Sequence, residues 1–148
     1  MEKERRPKNI FVQGPISPES IAKSIANHGS KTDIGGHSIF FGASQADAKA
    51  EGNVIAIDYS AYEAMALEKA FEIREAVFAK YPLNCMHIYH SLGEVKVGEL
   101  CLFVFTSSKH RKAAMDACDE LVERIKAELP VWGKEILDTQ GHVWKLNT

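Results

Sequence analysis

The chain has 148 residues, 45% of them hydrophobic and 26% charged, with a formal net charge of −2. That length suits one domain, residues 1–148, able to bury about two-thirds of its unfolded surface. The near-neutral balance argues against the broad basic field of nucleic-acid binders.

The N-terminal "MEKERRPK" is charged with no apolar stretch behind it, so residues 1–8 read as a flexible tail rather than a signal peptide. No run approaches the roughly 18 apolar residues of a spanning helix, and the chain reads as cytoplasmic with no membrane partner. "NIFVQG" is a short apolar run, read as an edge strand. "SPESIAKSIANHG" brackets a helix with Ser17 as N-cap, Pro18 at the first position and Gly29 as C-cap, with Ile21 and Ile25 facing inward. "GGHSIFFGA" predicts a strand. The polar, small-residue stretch that follows, residues 43–53, predicts a mobile loop. "VIAIDYSAY" has strong β character through Val54, Ile55, Ile57 and Tyr59.

From Glu63 to Lys80 the period becomes helical. Leu67, Phe71, Arg74 and Phe78 form the stripe, beside Ala70 and Val77, and Pro82 stops it. The next 24 residues predict a strand, a turn at Leu92-Gly93, a short strand, and a buried strand from Leu100 to Thr106. A helix then opens at Ser107 or Ser108 and carries Met115, Cys118, Val122, Ile125 and Leu129 at gaps of three and four. The remainder predicts a hairpin around "DTQG". The order indicates an α+β fold, a mixed and mostly antiparallel sheet with helices covering one face.

Cys85, Cys101 and Cys118 form no C-x-x-C pair and read as buried reduced thiols. His87 and His90, three apart in a strand, point to opposite faces and cannot chelate together. No carboxylate or cysteine completes a recognisable ligand spacing, so no metal site is expected.

Two basic clusters invite chemistry. Lys109, His110, Arg111 and Lys112 fall at a helix start, where free N–H groups favour an anion and Arg offers a bidentate phosphate clamp. A solvated basic turn has the same pattern. Lys126 lies beside Ile125 at the edge of the buried stripe, placed to act as base, nucleophile or anion ligand, or to lay its stem on the apolar face with its head in water. Lys134 follows Gly133, past the corner made by Pro130 and Trp132, and reads either as a surface lysine or as a second amine on the far side of that corner from Lys126.

Taken together, these segments resemble the large, catalytic subunit of molybdopterin synthase from about Phe11 to Trp144. The most specific anchors are His90-Ser91-Leu92-Gly93, Val97-Gly98-Glu99, Ser108-Lys109-His110-Arg111, and Lys126 through Pro130 and Trp132 to Glu135. The resemblance implies an α/β hammerhead fold and sulfur insertion into cyclic pyranopterin monophosphate, forming the dithiolene of molybdopterin. The sulfur would come from a small ubiquitin-like subunit carrying a C-terminal Gly-Gly thiocarboxylate. Two large subunits would form a central homodimer within a heterotetramer, and no cofactor is implied.

By the same resemblance Lys126 and Lys134 are catalytic. His110, Arg111, Ala43, Ser44, Gln45, Gly133 and Glu135 contact the substrate. Two positions depart from the family pattern: Gln45 stands where an Arg is usual, and Gly133 where a first basic residue follows the Trp. The alternative implied by those departures is a scaffold that binds the small partner without turnover.

Overall fold

The computed structural model describes residues 8–49, 51–139 and 141–145. In chain order these form β1 (Phe11–Gln13), α1 (Pro18–Asn27), β2 (Gly36–Ala43), β3 (Ala48–Lys49), β4 (Gly52–Ala61) and α2 (Glu63–Lys80). They continue as β5 (Leu83–Lys96), β6 (Leu100–Ser108), α3 (Arg111–Glu128), β7 (Val131–Leu137) and β8 (His142–Trp144). The strands run in the order β2-β6-β5-β4-β7-β8, with β1 parallel to β5 and all other pairs antiparallel. The mixed, mostly antiparallel α+β architecture is the one expected.

The centre of the sheet is a single long strand where the sequence predicts two. β5 does not turn at Leu92-Gly93. Its first half pairs with β6 up to His90, and from Gly93 it pairs with β4. Gly93 takes φ +83° at the changeover, a left-handed backbone that only glycine adopts without strain. The strand therefore bends between two partners instead of reversing.

The 43–53 segment is also more regular than a loop. Within it β3 folds back on the start of β4, pairing Ala48 with Asn53 and Lys49 with Gly52. The closing hairpin forms as predicted, with β7 and β8 registered Lys134 to Trp144 and Glu135 to Val143.

The helices lie on both faces of the sheet, not one. On one face α3 buries Ala114, Ala117, Cys118, Leu121, Val122 and Ile125, which pack with α2 against Met86, Ile88, Leu102 and Val104. Small residues in the first turns let α3 sit close enough for the Thr106 hydroxyl to donate to the Ala114 carbonyl at 2.6 Å. In α2 the buried line is Ala66, Ala70, Ile73 and Val77, with the predicted Leu67, Phe71 and Phe78 on its flank. Arg74 is accommodated there because its guanidinium donates to the Met86 carbonyl at 3.0 Å and lies over the Phe78 ring.

On the opposite face α1 seals a smaller cluster of Ile16, Ile21, Phe103 and Phe105. Of the two isoleucines of α1 only Ile21 joins it, and Ile25 is 44% exposed rather than inward. Met115 likewise faces solvent, and His28, not Gly29, is the C-cap of α1.

α3 starts later than predicted. Ser107 and Ser108 stay in the β6 ladder, Ser108 opposite Gly36 on one side and Leu83 on the other. His110 is the N-cap and makes no side-chain capping bond, leaving Arg111 as the first helical residue. Among the described residues no helix is long and apolar enough to cross a membrane. Cys101 and Cys118 are buried free thiols, and Cys85 is half-buried.

Candidate functional site

The stripe that buries Ile125 carries the next residue, Lys126, to the rim of α3 in its last turn. A cation there suits the negative end of the helix dipole. Its ammonium stands 6.0 Å from the centre of the Phe40 ring. Lys126 borders three cavities: one lies along α3 beside Phe40, and the other two, with different walls, lie toward β4 and β7.

The first of these two is narrow, about 90 Å³, and glycine-lined by Gly42 and Gly133. Its floor holds Tyr59, His90 and Cys101. His90 Nδ1 donates to the Ser91 carbonyl at 2.7 Å, which leaves Nε2 as an acceptor. Burial lowers the His90 pKa against that bond, and Lys145 adds to the lowering, so the ring is neutral near pH 7. Tyr59 packs edge-on to His90 at 5.2 Å. Burial first, then Cys101, pushes the Tyr59 pKa far above its ordinary value, with the Ser44 hydroxyl acting against them. The phenol therefore stays a neutral donor. The Cys101 thiol donates to the Gly42 carbonyl at 3.3 Å.

The second cavity is wider, about 480 Å³, and charged. Lys126, Lys49 and Lys145 line it together with the acidic Asp47, Glu51 and Glu135, and with Gln45 and Ala43. Glu135 is only 3% exposed and pairs with Lys49 at 3.7 Å. Lys145 is placed by the hairpin: its N–H donates to the Gly133 carbonyl at 2.8 Å. A Cβ on Gly133 would stand 3.5 Å from Lys145 Cβ and only 2.9 Å from Ile57 Cγ2. The glycine thus keeps β7 close to β4 and leaves the space in front of it to Lys145.

Of the residues singled out from sequence, Lys126, Ala43, Gln45, Gly133 and Glu135 come together around these cavities. Ser44 lies buried just behind Ala43, its hydroxyl on the Tyr59 side. Lys134 does not join them. It sits in β7 between Gly133 and Glu135, and strand alternation turns it to the other face. Lys145 occupies the place expected of it.

His110 and Arg111 are exposed at the far end of α3 and line neither cavity. Fifteen helical residues separate Arg111 from Lys126, about 22 Å along the axis. Sequence reasoning missed Tyr59, His90, Cys101, Lys49 and Lys145 as site residues. Only the hairpin register around "DTQG" carried a signal for Lys145.

The MoaE protein family profile matches residues 11–128. A molybdopterin synthase catalytic subunit of Pyrococcus abyssi is 35% identical over 115 residues, covering 78% of this chain and 76% of that protein. One from Oryza sativa is 39% identical over 94 residues, 64% of this chain but 48% of the longer rice protein. Among solved structures, molybdopterin synthase from Staphylococcus aureus superposes with a TM-score of 0.79 at 28% identity, covering 92% of this chain and 95% of that one. A complex of subunits 1 and 2 of molybdopterin-converting factor from Helicobacter pylori shares the fold, with a TM-score of 0.77 at 17% identity over 90% of this chain and 87% of that one.

Proposed function

Because the chain belongs to the MoaE family of molybdopterin synthase catalytic subunits, we propose that it transfers sulfur from a small subunit's C-terminal thiocarboxylate to cyclic pyranopterin monophosphate. The observation that carries this reading is the junction at Lys126. A narrow slot with Gly42 and Gly133 in its wall and a wider charged cavity holding three lysines and three acidic residues open onto the same ammonium. A Gly-Gly tail has no side chains and suits the slot. A phosphate-bearing pterin suits the cavity.

The electrostatics follow from the two substrates. Both are anions, and two unit charges about 4 Å apart repel by roughly 4 kcal/mol at an effective dielectric of 20. Lys126 and Lys145 line both the slot and the cavity and stand where they offset that repulsion, with Lys49 on the cavity side. Lys126, with Lys145 beside it, is in reach of both the sulfur donor and the acceptor carbon. At the floor, neutral His90 offers an acceptor nitrogen and Tyr59 a donor hydroxyl. These can take or hold a proton as sulfur bonds to the pterin carbon and as water then cleaves the resulting thioester, leaving sulfur on the pterin and releasing the small subunit as its carboxylate.

The distance between Arg111 and Lys126 bears on assembly. One phosphate cannot span about 22 Å along one helix. If both ends of α3 serve the same substrate, Lys126 of one copy works with His110 and Arg111 of another, in a two-fold homodimer that presents two such sites. A small subunit at each site would complete a heterotetramer.

Reconstitution tests the proposal. The chain is incubated with thiocarboxylated small subunit and the pterin precursor, and dithiolene product is measured. Product formation supports the synthase. Tight partner binding with no product would replace it with the scaffold reading that Gln45 and Gly133 suggest.

A further inference from the structure

On the other face of the sheet, away from Lys126, three metal-ligand side chains converge that the sulfur-transfer site does not use. Cys85 and His87 are two apart in β5 and share a face. The C-cap of α1 sets His28 over them. The sulfur and the imidazole nitrogens all lie within 4.8 Å of one another. Spacing along the sequence does not show this cluster, because His28 comes from a helix end 57 residues before Cys85.

His28 is held in place before any ligand arrives. It is 7% exposed, and its ring packs edge-on to Phe105 at 4.8 Å. Its Nδ1 donates to the Ser24 carbonyl at 2.6 Å, so Nε2 carries the lone pair. A backbone carbonyl on the second nitrogen is how metal-binding histidines are commonly oriented. That lone pair faces His87 Nε2 at 3.2 Å.

The geometry points to a binding site for a soft d10 cation, zinc or monovalent copper, held by His28 Nε2, His87 Nε2 and Cys85 Sγ. Two imidazole nitrogens bound to one tetrahedral ion at about 2.05 Å stand roughly 3.3 Å apart. The observed 3.2 Å is already close to that span. A thiolate sulfur at about 2.3 Å from the ion would sit roughly 3.5 Å from each nitrogen. Rotation of the half-buried Cys85 side chain covers the remaining approach.

Two imidazoles and a thiolate form a donor set suited to zinc or copper and poor for magnesium or calcium. On binding, the Cys85 thiol releases its proton to solvent and the His87 proton moves to Nδ1, leaving Nε2 to the ion. With one thiolate the complex is neutral for copper(I) and +1 for zinc. A cavity of about 640 Å³ lined by His28 and His87 leaves room for a water or small ligand in the fourth position.

A plain N–H···N hydrogen bond fits the same 3.2 Å, and the experiment separates the two. The full chain, stripped by chelator, is titrated with cobalt(II) as the zinc probe. Under anaerobic conditions it is titrated separately with copper(I) in a competing chelator. One ion per chain with a thiolate charge-transfer band in the cobalt arm supports a zinc-type site. Retention only in the second arm supports copper(I). Cys85→Ser should abolish the band, and His87→Gln should weaken binding about 100-fold or more, beyond the effect of losing an outer-shell partner.

Cys118→Ser, on the α3 face, should leave binding unchanged. Circular dichroism checks that each variant is folded. If His28→Ala does not fold, Cys85→Ser decides. The proposal is overturned if the wild-type chain retains neither ion against a weak competitor, or if Cys85→Ser and His87→Gln bind like wild type.

Discussion

Removing the Lys145 ammonium is the sharpest test of how this chain makes its anion cavity. Lys145 lines both the slot and the charged cavity at Lys126, and its backbone is pinned to Gly133 by a 2.8 Å hydrogen bond that a side-chain change leaves intact. Lys145→Ala should therefore preserve the fold, with a stability change within about 0.5 kcal/mol. A hydrogen bond to a charged group contributes about 1.5–3 kcal/mol. Its loss should weaken binding of the pterin precursor by about 10- to 150-fold.

The assay is steady-state dithiolene formation at saturating thiocarboxylated partner, with KM for the precursor as the readout. Lys145→Arg should restore most of the affinity. Gly133→Lys in the Lys145→Ala background should not, because its Cβ would meet Ile57 Cγ2 at 2.9 Å. Overpacking of that kind costs about 1–3 kcal/mol in stability. A wild-type KM in Lys145→Ala would show that the lysine merely borders the cavity.

Lys126→Ala should abolish product while leaving the melting temperature and partner binding unchanged, and near wild-type turnover would remove Lys126 from the mechanism. Gln45→Arg should tighten precursor binding, measured by calorimetry; unchanged or weaker binding would mean that residue 45 does not face the substrate. Mixing Arg111→Ala with Lys126→Ala chains tests the shared site: random exchange makes about half the dimers mixed, each with one intact site, so about a quarter of wild-type activity should return. Activity as low as in the parents, with exchange verified, would refute it. His90 has a folded pKa below its unfolded value of about 6.5, so the unfolded chain binds more protons in acid and stability should fall as pH drops from 7.5 to 5. A smaller drop in His90→Gln melting temperatures over that range is the expected signature.

The parts of this fold legible in the sequence are those whose pattern is local. α2 and the closing hairpin carry their own periodicity or turn chemistry, and so does most of α3. The bend in β5 was not legible, because Gly93 at positive φ serves a turn and a partner change equally well. Ile25 and Met115 fit helical stripes, yet the surface available to each helix is set by what the sheet presents. The Lys134 reading failed for a related reason. Residues 130–135 read as a corner, whereas β7 begins at Val131 and its alternation assigns Gly133 and Glu135 to one face and Lys134 to the other. Lys145 was invisible until the register of β7 and β8 was known. The metal-ligand cluster was missed in the same way, since it needs the packing of α1 on β5.

The two ends of α3 explain why its charges persist despite their effect on the helix. Lys126 in the last turn agrees with the dipole. Arg111 and Lys112 at the start oppose it, no acidic residue occupies the first turn, and His110 provides no side-chain cap. Each such mismatch costs about 0.3–1 kcal/mol. Lys112 is partly relieved by Asp116 at 3.2 Å, but exposed Arg111 makes no ion pair with an acidic residue among the described residues. Uncapped N–H groups beside an arginine are best satisfied by an anion from outside the chain. In the proposed dimer the substrate phosphate would be that anion, reaching α3 of one copy while its pterin lay at Lys126 of the other. The local instability of the helix start is then relieved only on binding, so the phosphate end contributes to ordering the site it occupies.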